Sequence, residues 1–322
     1  SGEASKELTS LAEFLQAPVI ATGEGRGAIS DRSYLSIGSF RFKNDTFFEN
    51  KIQDYDLVVA VGTRLLNNQQ LTGQKVLQID IDDEEIGRNY DNTEGINGDA
   101  KKTLTEILNG LKDVMPPREN REEELTQLKA ERFNPGTVIE PQESFTKVIR
   151  SVMPDDGIFI SGMTQIGYYS RNKFEVYEPR TYITSSYYGN LGYAYPTALG
   201  AKVAQPEKAV VVVCGDGGFM FNVQELATAV KHQINVVAVV FNDNAYGNVM
   251  RDQINMFDGR EYGAEVHNPD FMKLAEAFGV RGVRVEGGAP ELGKAVQESL
   301  SIEAPTLIEV PVGPMPNPFR DY

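Results

Sequence analysis

Ala209-Val210-Val211-Val212-Val213-Cys214-Gly215-Asp216-Gly217-Gly218 sets six apolar residues in a row before a glycine-bracketed acid. A run of this length, rich in valine, reads as a strand buried on both faces of a parallel sheet. Gly217 and Gly218 are expected to make a sharp turn into a helix over Asn222–His232, whose apolar positions recur at helical spacing. Val236–Phe241 reads as a second buried strand that delivers Asn242 and Asp243 at its carboxyl end. Open parallel sheets bind ligands at the carboxyl ends of their strands. Asp216 and Asp243 are therefore expected at one rim, among glycines that let the backbone approach a phosphate. Mg²⁺ takes one or two carboxylates and fills its octahedron with phosphate oxygens, carbonyls and water, so this rim suits a Mg²⁺–diphosphate site.

Composition narrows the function classes. The chain has 322 residues, enough for two domains with proper cores. Its net charge of −15, from 31 basic against 46 acidic residues, argues against nucleic-acid or anionic-membrane binding, which need a basic footprint. The longest apolar runs are strand-sized, so no transmembrane span is expected, and no signal peptide is read at the start. One cysteine, Cys214, excludes an intrachain disulfide and suits a reducing, cytoplasmic setting, with burial as a small hydrophobe its expected role. Two histidines, His232 and His267, are too few for a histidine-based zinc site.

Residues 1–112 read as one α/β unit. A polar amphipathic helix opens it, and Pro18–Ala21, Leu57–Val61 and Lys75–Asp80 read as strands, the second of them buried. A helix over Lys101–Lys112 closes it. Strands alternating with helices indicate a parallel sheet. Residues 113–138 read as a linker: Pro116-Pro117 stops one helix, Glu119–Arg132 forms a charged helix with a solvated face, and Pro135-Gly136 breaks it. Residues 139–322 form a second α/β unit that opens with the strand Gly157–Ile160. The expected fold is thus two doubly wound α/β domains joined by a helical linker. The acids Asp80, Asp82, Asp83, Glu84 and Glu85 read as a strand end and an acidic helix start rather than a metal cluster.

The segment from Gly215-Asp216-Gly217 to Asn242-Asp243 resembles the thiamine diphosphate (ThDP) signature, which opens with GDG and closes with an Asn pair one helix and one strand later. Here the two acids lie 27 positions apart and the closing pair is Asn-Asp, a departure that adds negative charge beside an anionic diphosphate. The resemblance implies Mg²⁺ ligation by Asp216, Asp243 and the main-chain carbonyl of Ala245, with Gly215, Gly217 and Gly218 lining the diphosphate. The run Tyr188-Gly189-Asn190-Leu191-Gly192-Tyr193-Ala194-Tyr195-Pro196 is similar to the loop and helix before GDG in acetolactate synthase-like enzymes. By that likeness Leu191 wedges beneath the cofactor and Gly189 offers its carbonyl to the pyrimidine amine. The alternative is a glycine-rich loop with Leu191 in the core. Thr164 and Gln165, in the turn after the first strand of the second unit, are candidate diphosphate contacts, with helix capping equally open. Tyr246 begins a helix that in the family reaches over the substrate end of the cofactor, and Pro311–Tyr322 resembles a tail that covers the site. In some relatives the first domain binds FAD through an arginine at the position of Arg64. Here the Gly23–Gly27 turn lacks GxGxxG spacing, so a solvent-facing or ion-paired arginine is the favoured reading.

The resemblance implies the central and C-terminal portion of a ThDP-dependent carboligase or decarboxylase acting on a 2-keto acid, most like acetolactate synthase. A benzoylformate-type decarboxylase, a sulfoacetaldehyde-type acetyltransferase and a non-catalytic ThDP-binding or regulatory subunit are the alternatives. The family's pyrimidine-binding domain supplies the glutamate that generates the ylide. No residue of this chain is assigned to that role, so the catalytic residue stays unknown and the chain alone is expected to be inactive. The missing domain is expected in cis or in trans, within a homo-oligomer.

Overall fold

In a computed structural model, residues 2–40, 45–66, 71, 73–186 and 188–319 are described. The last three residues of the expected tail, 320–322, lie outside them. The chain divides into two compact units, one running to Gly136 and taking in Val176–Arg180, the other comprising Thr137–Glu175 and Thr181 onward.

The described residues of the first unit hold two parallel sheets. β1 (Val19–Ala21) pairs with β2 (Ser36–Ser39), and β3 (Leu57–Val61), β4 (Lys75–Asp80) and β5 (Thr93–Asn97) form a sheet in that order. Helices α1 (Ser5–Leu15) and α3 (Ala100–Val114) cover it, burying Leu11, Ile79 and Leu104 with Val61 and Ile96. β3 is not the buried strand expected from its apolar run. It is an edge of the three-stranded sheet, and Leu57 and Val59 are exposed. α2 (Thr46–Lys51) is capped by the Asp45 carboxylate, which accepts the Phe48 N–H at 3.2 Å.

The charged helix expected in the linker is α4 (Glu122–Arg132), with acids in its first turn and bases in its last, as the helix dipole favours. It does not present a solvated face all round. Leu125 is buried with Ala12, Ile29 and Leu35 in the first unit. Arg132 is buried as well and grips Asp45 with two bonds, Nη1 to Oδ1 at 3.1 Å and Nη2 to Oδ2 at 2.8 Å, while Nη2 also donates to the Ser39 carbonyl. The segment Val176–Arg180 joins this unit through Asp31, whose Oδ2 accepts the Val176 N–H at 2.8 Å.

The second unit is built on a six-stranded, wholly parallel sheet. Its strands are β6 (Ile158–Ser161), β7 (Tyr182–Ile183), β8 (Val210–Gly215), β9 (Val237–Asn242), β10 (Arg281–Arg284) and β11 (Thr306–Pro311), in spatial order β10-β11-β9-β8-β6-β7. Valines dominate β8 and β9 because branched side chains pack well on a pleated surface buried on both sides. Along β8, Val210, Val212 and Cys214 join a core with α7 (Ala194–Ala204), α9 (Glu225–Lys231) and α11 (Phe271–Phe278). The opposite face packs against α5 (Gln142–Val152), α6 (Gln165–Lys173) and α12 (Gly288–Leu300), where Phe145 meets Phe241 at 5.2 Å and Phe174 stacks on Phe159 at 4.1 Å. Each such buried aliphatic side chain contributes roughly 1.5–3 kcal/mol over exposure. The chain leaves β6 for β7 on one side and returns to β8 on the other. The switch point therefore falls between β6 and β8, where a doubly wound sheet opens a crevice at its carboxyl edge.

Replacing Arg132 by alanine leaves the Asp45 carboxylate buried without its guanidinium. We expect a loss of about 3–5 kcal/mol in chemical denaturation, the size seen when one partner of a buried pair is removed. A loss below about 1 kcal/mol would show that the pair does not secure α4.

Candidate functional site

Three chain segments leave the sheet at its carboxyl rim, those after β6 and β8 flanking the switch point. After β8 the backbone enters α8 (Asp216–Met220) at once, so Gly217 and Gly218 lie within a first helical turn and not in the expected turn between strand and helix. The next helix, α9, begins only at Glu225. Asp216 explains the early start: its Oδ1 accepts the Gly217 N–H at 2.8 Å, and an acid suits a helix N-terminus. The two glycines differ in necessity. A Cβ on Gly217 would stand 2.5 Å from the Tyr246 ring, whereas one on Gly218 would make an ordinary 3.5 Å contact with Leu191.

After β6, Gly162-Met163-Thr164 leads into α6. Thr164 occupies the N-cap with extended backbone, yet its side chain makes no capping bond, and its Oγ1 lies 3.4 Å from the Cβ position of Gly215. Helix capping is thus not what this hydroxyl does. Gln165 is buried and its Oε1 accepts Arg251 Nη1 at 3.1 Å, so its side chain already supports a neighbour.

After β9 comes Asn242-Asp243-Asn244-Ala245. Asn244 adopts φ +56, a left-handed conformation asparagine tolerates, and its N–H donates to Asn242 Oδ1 at 3.2 Å. A single antiparallel bridge pins the turn: the Val266 N–H donates to the Asn244 carbonyl and the Tyr246 N–H to the Ala264 carbonyl, with Ala245 opposite Glu265. In such a pair the N–H and C=O of Ala245 both turn away from residues 264–266. The N–H goes to Asp243 Oδ1 at 3.3 Å, which sets the Ala245 carbonyl on the Asp243 side.

The two acids share a poorly solvated rim. Asp216 is 1% exposed, and burial raises its pKa despite hydrogen bonds from Asn268 and Gly217. Burial, and then the charge of Asp216, push Asp243 up to about 6. Among the described residues no lysine or arginine contributes to either shift. All-oxygen donors in need of positive charge fit a hard divalent cation, and Asp216, Asp243 and the Ala245 carbonyl are the residues that would hold it.

Beside them a small crevice is lined by Gly162, Met163, Leu191, Gly192, Cys214 and Gly215. Leu191 is half-buried on its wall. Gly189, at φ +56, comes near Met163, whose Cε would lie 3.3 Å from a Cβ there. Burial pushes the Cys214 thiol up to about 12, so it stays neutral and packs as an apolar group. The residues expected at the site are thus gathered on one rim of the second unit. Arg64, at the end of β3 in the first unit, is exposed.

Two residues were not expected. Asn268 Nδ2 donates to Asp216 Oδ2 at 2.6 Å, to Asn242 Oδ1 at 2.9 Å and lies 3.3 Å from Asn244 Oδ1. In sequence it merely precedes Pro269 and the capping Asp270 of α11, which hides it as a helix approach. Arg251, on α10 (Gly247–Met256), bonds the side chains of Gln165 and Asn248, and its buried Nε has no acceptor among the described residues. α10 buries no side chain of its own: Val249, Ile254 and Met256 are exposed, as are Phe257 and Tyr262 just after it. The tail crosses nearby, with Phe319 against the Tyr168 ring at 5.0 Å.

Comparison with known proteins gives two family matches. Residues 1–107 match "Thiamine pyrophosphate enzyme, central domain" and residues 162–310 match "Thiamine pyrophosphate enzyme, C-terminal TPP binding domain". The chain is 30% identical to the probable acetolactate synthase large subunit of Methanococcus aeolicus, over 97% of this chain and 56% of that protein. It is 31% identical to the acetolactate synthase large subunit of Haemophilus influenzae, over 94% and 55%, and 28% identical to the sulfoacetaldehyde acetyltransferase of Castellaniella defragrans, over 96% and 58%. It therefore spans a little over half the length of the curated relatives it matches.

The raised acid gives a signed pH dependence. In the folded chain Asp243 titrates near 6, above its ordinary 3.8, so its protonated form favours folding below pH 4 and that contribution is lost as pH rises through 6. Without metal, Asp243→Asn should raise the melting temperature at pH 8 by about 2–4 °C, a solvent-discounted effect of about 1 kcal/mol, and by almost nothing at pH 4. Equal effects at both pH values would contradict the desolvated carboxylate. Added Mg²⁺ should stabilise the chain more at pH 8 than at pH 5, because metal and proton compete for the same oxygens.

Proposed function

Because the chain belongs to the thiamine pyrophosphate enzyme family, matching its central and C-terminal domains in turn, we propose that it is that portion of a ThDP- and Mg²⁺-dependent enzyme of the acetolactate synthase kind. Such an enzyme joins or cleaves carbon–carbon bonds at a small 2-keto acid. The observation that carries this reading is the pair of desolvated carboxylates, Asp216 and Asp243, at a glycine-lined switch point. When bound, ThDP supplies the carbanion-stabilising chemistry, and the protein supplies binding and orientation.

The residues of this chain divide the work. Asp216, Asp243 and the Ala245 carbonyl hold the cation. Gly215, Gly217 and Gly218 line the diphosphate with their backbone, and the Thr164 hydroxyl faces Gly215. Leu191 lines the crevice in which the cofactor's rings are oriented, Gly189 approaches Met163 on its wall, and the Tyr246 ring packs against Gly217. Arg251 braces Gln165. FAD has no part in the reading, and Arg64 serves as an exposed surface residue. A second reading, acetyl transfer to sulfoacetaldehyde, draws on the Castellaniella relative, which is similar over almost as much of the chain.

The ylide-forming glutamate belongs to a pyrimidine-binding domain that this reading places outside these 322 residues, in cis or in trans within a homo-oligomer. The apolar side chains exposed along α10 support a covering partner there. A cytoplasmic setting goes with the reading and accords with the single buried thiol. Among the described residues no helix is long and apolar enough to cross a membrane.

Assayed alone with ThDP and Mg²⁺, the 322-residue chain should turn over pyruvate at background rate. Robust acetolactate or acetaldehyde production would place the missing glutamate within this chain. Calorimetry should find Mg²⁺-dependent ThDP binding that Asp216→Ala abolishes, since the metal would lose a carboxylate. Unchanged affinity in that variant would put the site elsewhere.

A further inference from the structure

β11 carries a glutamate in the middle of an otherwise apolar run, and the Glu309 side chain is 3% exposed. A charge so placed is costly unless its oxygens are partnered. Glu309 Oε2 accepts Arg284 Nη1 at 3.1 Å and Oε1 accepts Asn242 Nδ2 at 2.8 Å. Asn242 Oδ1 accepts Asn268 Nδ2, and the same Asn268 amide donates to Asp216 Oδ2. Arg284 ends β10, Glu309 lies on β11, Asn242 ends β9, and Asp216 follows β8. These are consecutive neighbours in the sheet. A polar chain therefore runs along the carboxyl rim from an edge strand to the buried acid.

The chemistry gives this chain a direction. A carboxylate only accepts, so Asn242 must turn its NH₂ to Glu309 and its carbonyl oxygen to Asn268. That carbonyl in turn demands the NH₂ of Asn268, which leaves the same NH₂ to donate to Asp216. Flipping either amide would set two acceptors or two donors face to face. Asn242 Oδ1 also accepts the Asn244 N–H, so the turn that carries Asp243 hangs from the same group.

We propose that Asn268 and Glu309 are positioning residues of the divalent-cation site, holding the Asp216 carboxylate and the Asp243 turn in ligating arrangement. The proposal rests on the reading of Asp216 and Asp243 as metal ligands. Neither positioning residue belongs to the donor set, and both act through Asp216 or Asn242. Outer groups of this kind orient ligating carboxylates, and their loss weakens metal affinity roughly 10–100-fold.

The test is Mn²⁺ uptake by the full chain in the presence of inorganic pyrophosphate, read from the free-ion electron paramagnetic resonance signal and paired with melting curves taken without metal. The unaltered chain should bind and Asp216→Ala should not. Asn268→Ala and Glu309→Leu should bind at least about tenfold more weakly while still unfolding cooperatively. Glu309→Gln still offers an oxygen to Asn242, and should stay within about twofold of the unaltered chain. If Asn268→Ala fails to fold, the Glu309 pair carries the comparison. Unweakened Mn²⁺ binding by Asn268→Ala or Glu309→Leu, with binding still abolished in Asp216→Ala, overturns the positioning role alone. Failure of the unaltered chain to bind, or retention by Asp216→Ala, overturns the metal site and the proposal with it.

Discussion

Two carboxylates that share one desolvated rim are the constraint around which the second unit is arranged. Asp216 is almost wholly buried, and its charge adds to the burial that raises Asp243. Like charges in low dielectric repel strongly, and burial alone would favour losing both charges. The fold holds them through backbone and amide donors: the Gly217 N–H and Asn268 on Asp216, the Ala245 N–H on Asp243. Neutral donors lessen the repulsion without cancelling it, so the rim keeps its demand for a cation. On the proposed function such a rim is kept for binding rather than for stability.

The sheet makes this strained pair possible. Both acids follow buried valine-rich strands, β8 and β9, whose register sets Gly215 beside Phe241. The crossover between β6 and β8 opens a gap at the same edge, and glycine at 162 and 217 lets neighbouring segments close in where a side chain would collide. The rigid core beneath the rim supplies the accuracy that a ligating geometry needs.

Much of this was legible in the sequence, for identifiable reasons. Apolar runs, one ended by Gly215 and the other by Asn242-Asp243, marked β8 and β9 within a residue of their observed ends, and Lys75–Asp80 was found as read. The acids at their ends followed from the geometry of parallel sheets. β3 misled because its valine-rich run looks the same whether a strand is central or at an edge. The α4 charges pointed to solvent, while one leucine and one paired arginine turned the helix inward. Asn268 was hidden because it lies 52 and 26 residues from the partners it joins, with no periodicity to mark it. Glu309 did leave a trace: an acid inside Thr-Leu-Ile-Glu-Val-Pro, where a buried strand tolerates charge only with partners.

The proposed function depends on where a divalent ion would bind. Crystals of the chain soaked with Mn²⁺ and pyrophosphate, measured at the manganese absorption edge, would locate it directly. The expected result is one anomalous peak about 2.0–2.3 Å from oxygens of Asp216, Asp243 and the Ala245 carbonyl. A peak at the Asp80–Glu85 acids with none at the rim of the second unit would contradict it.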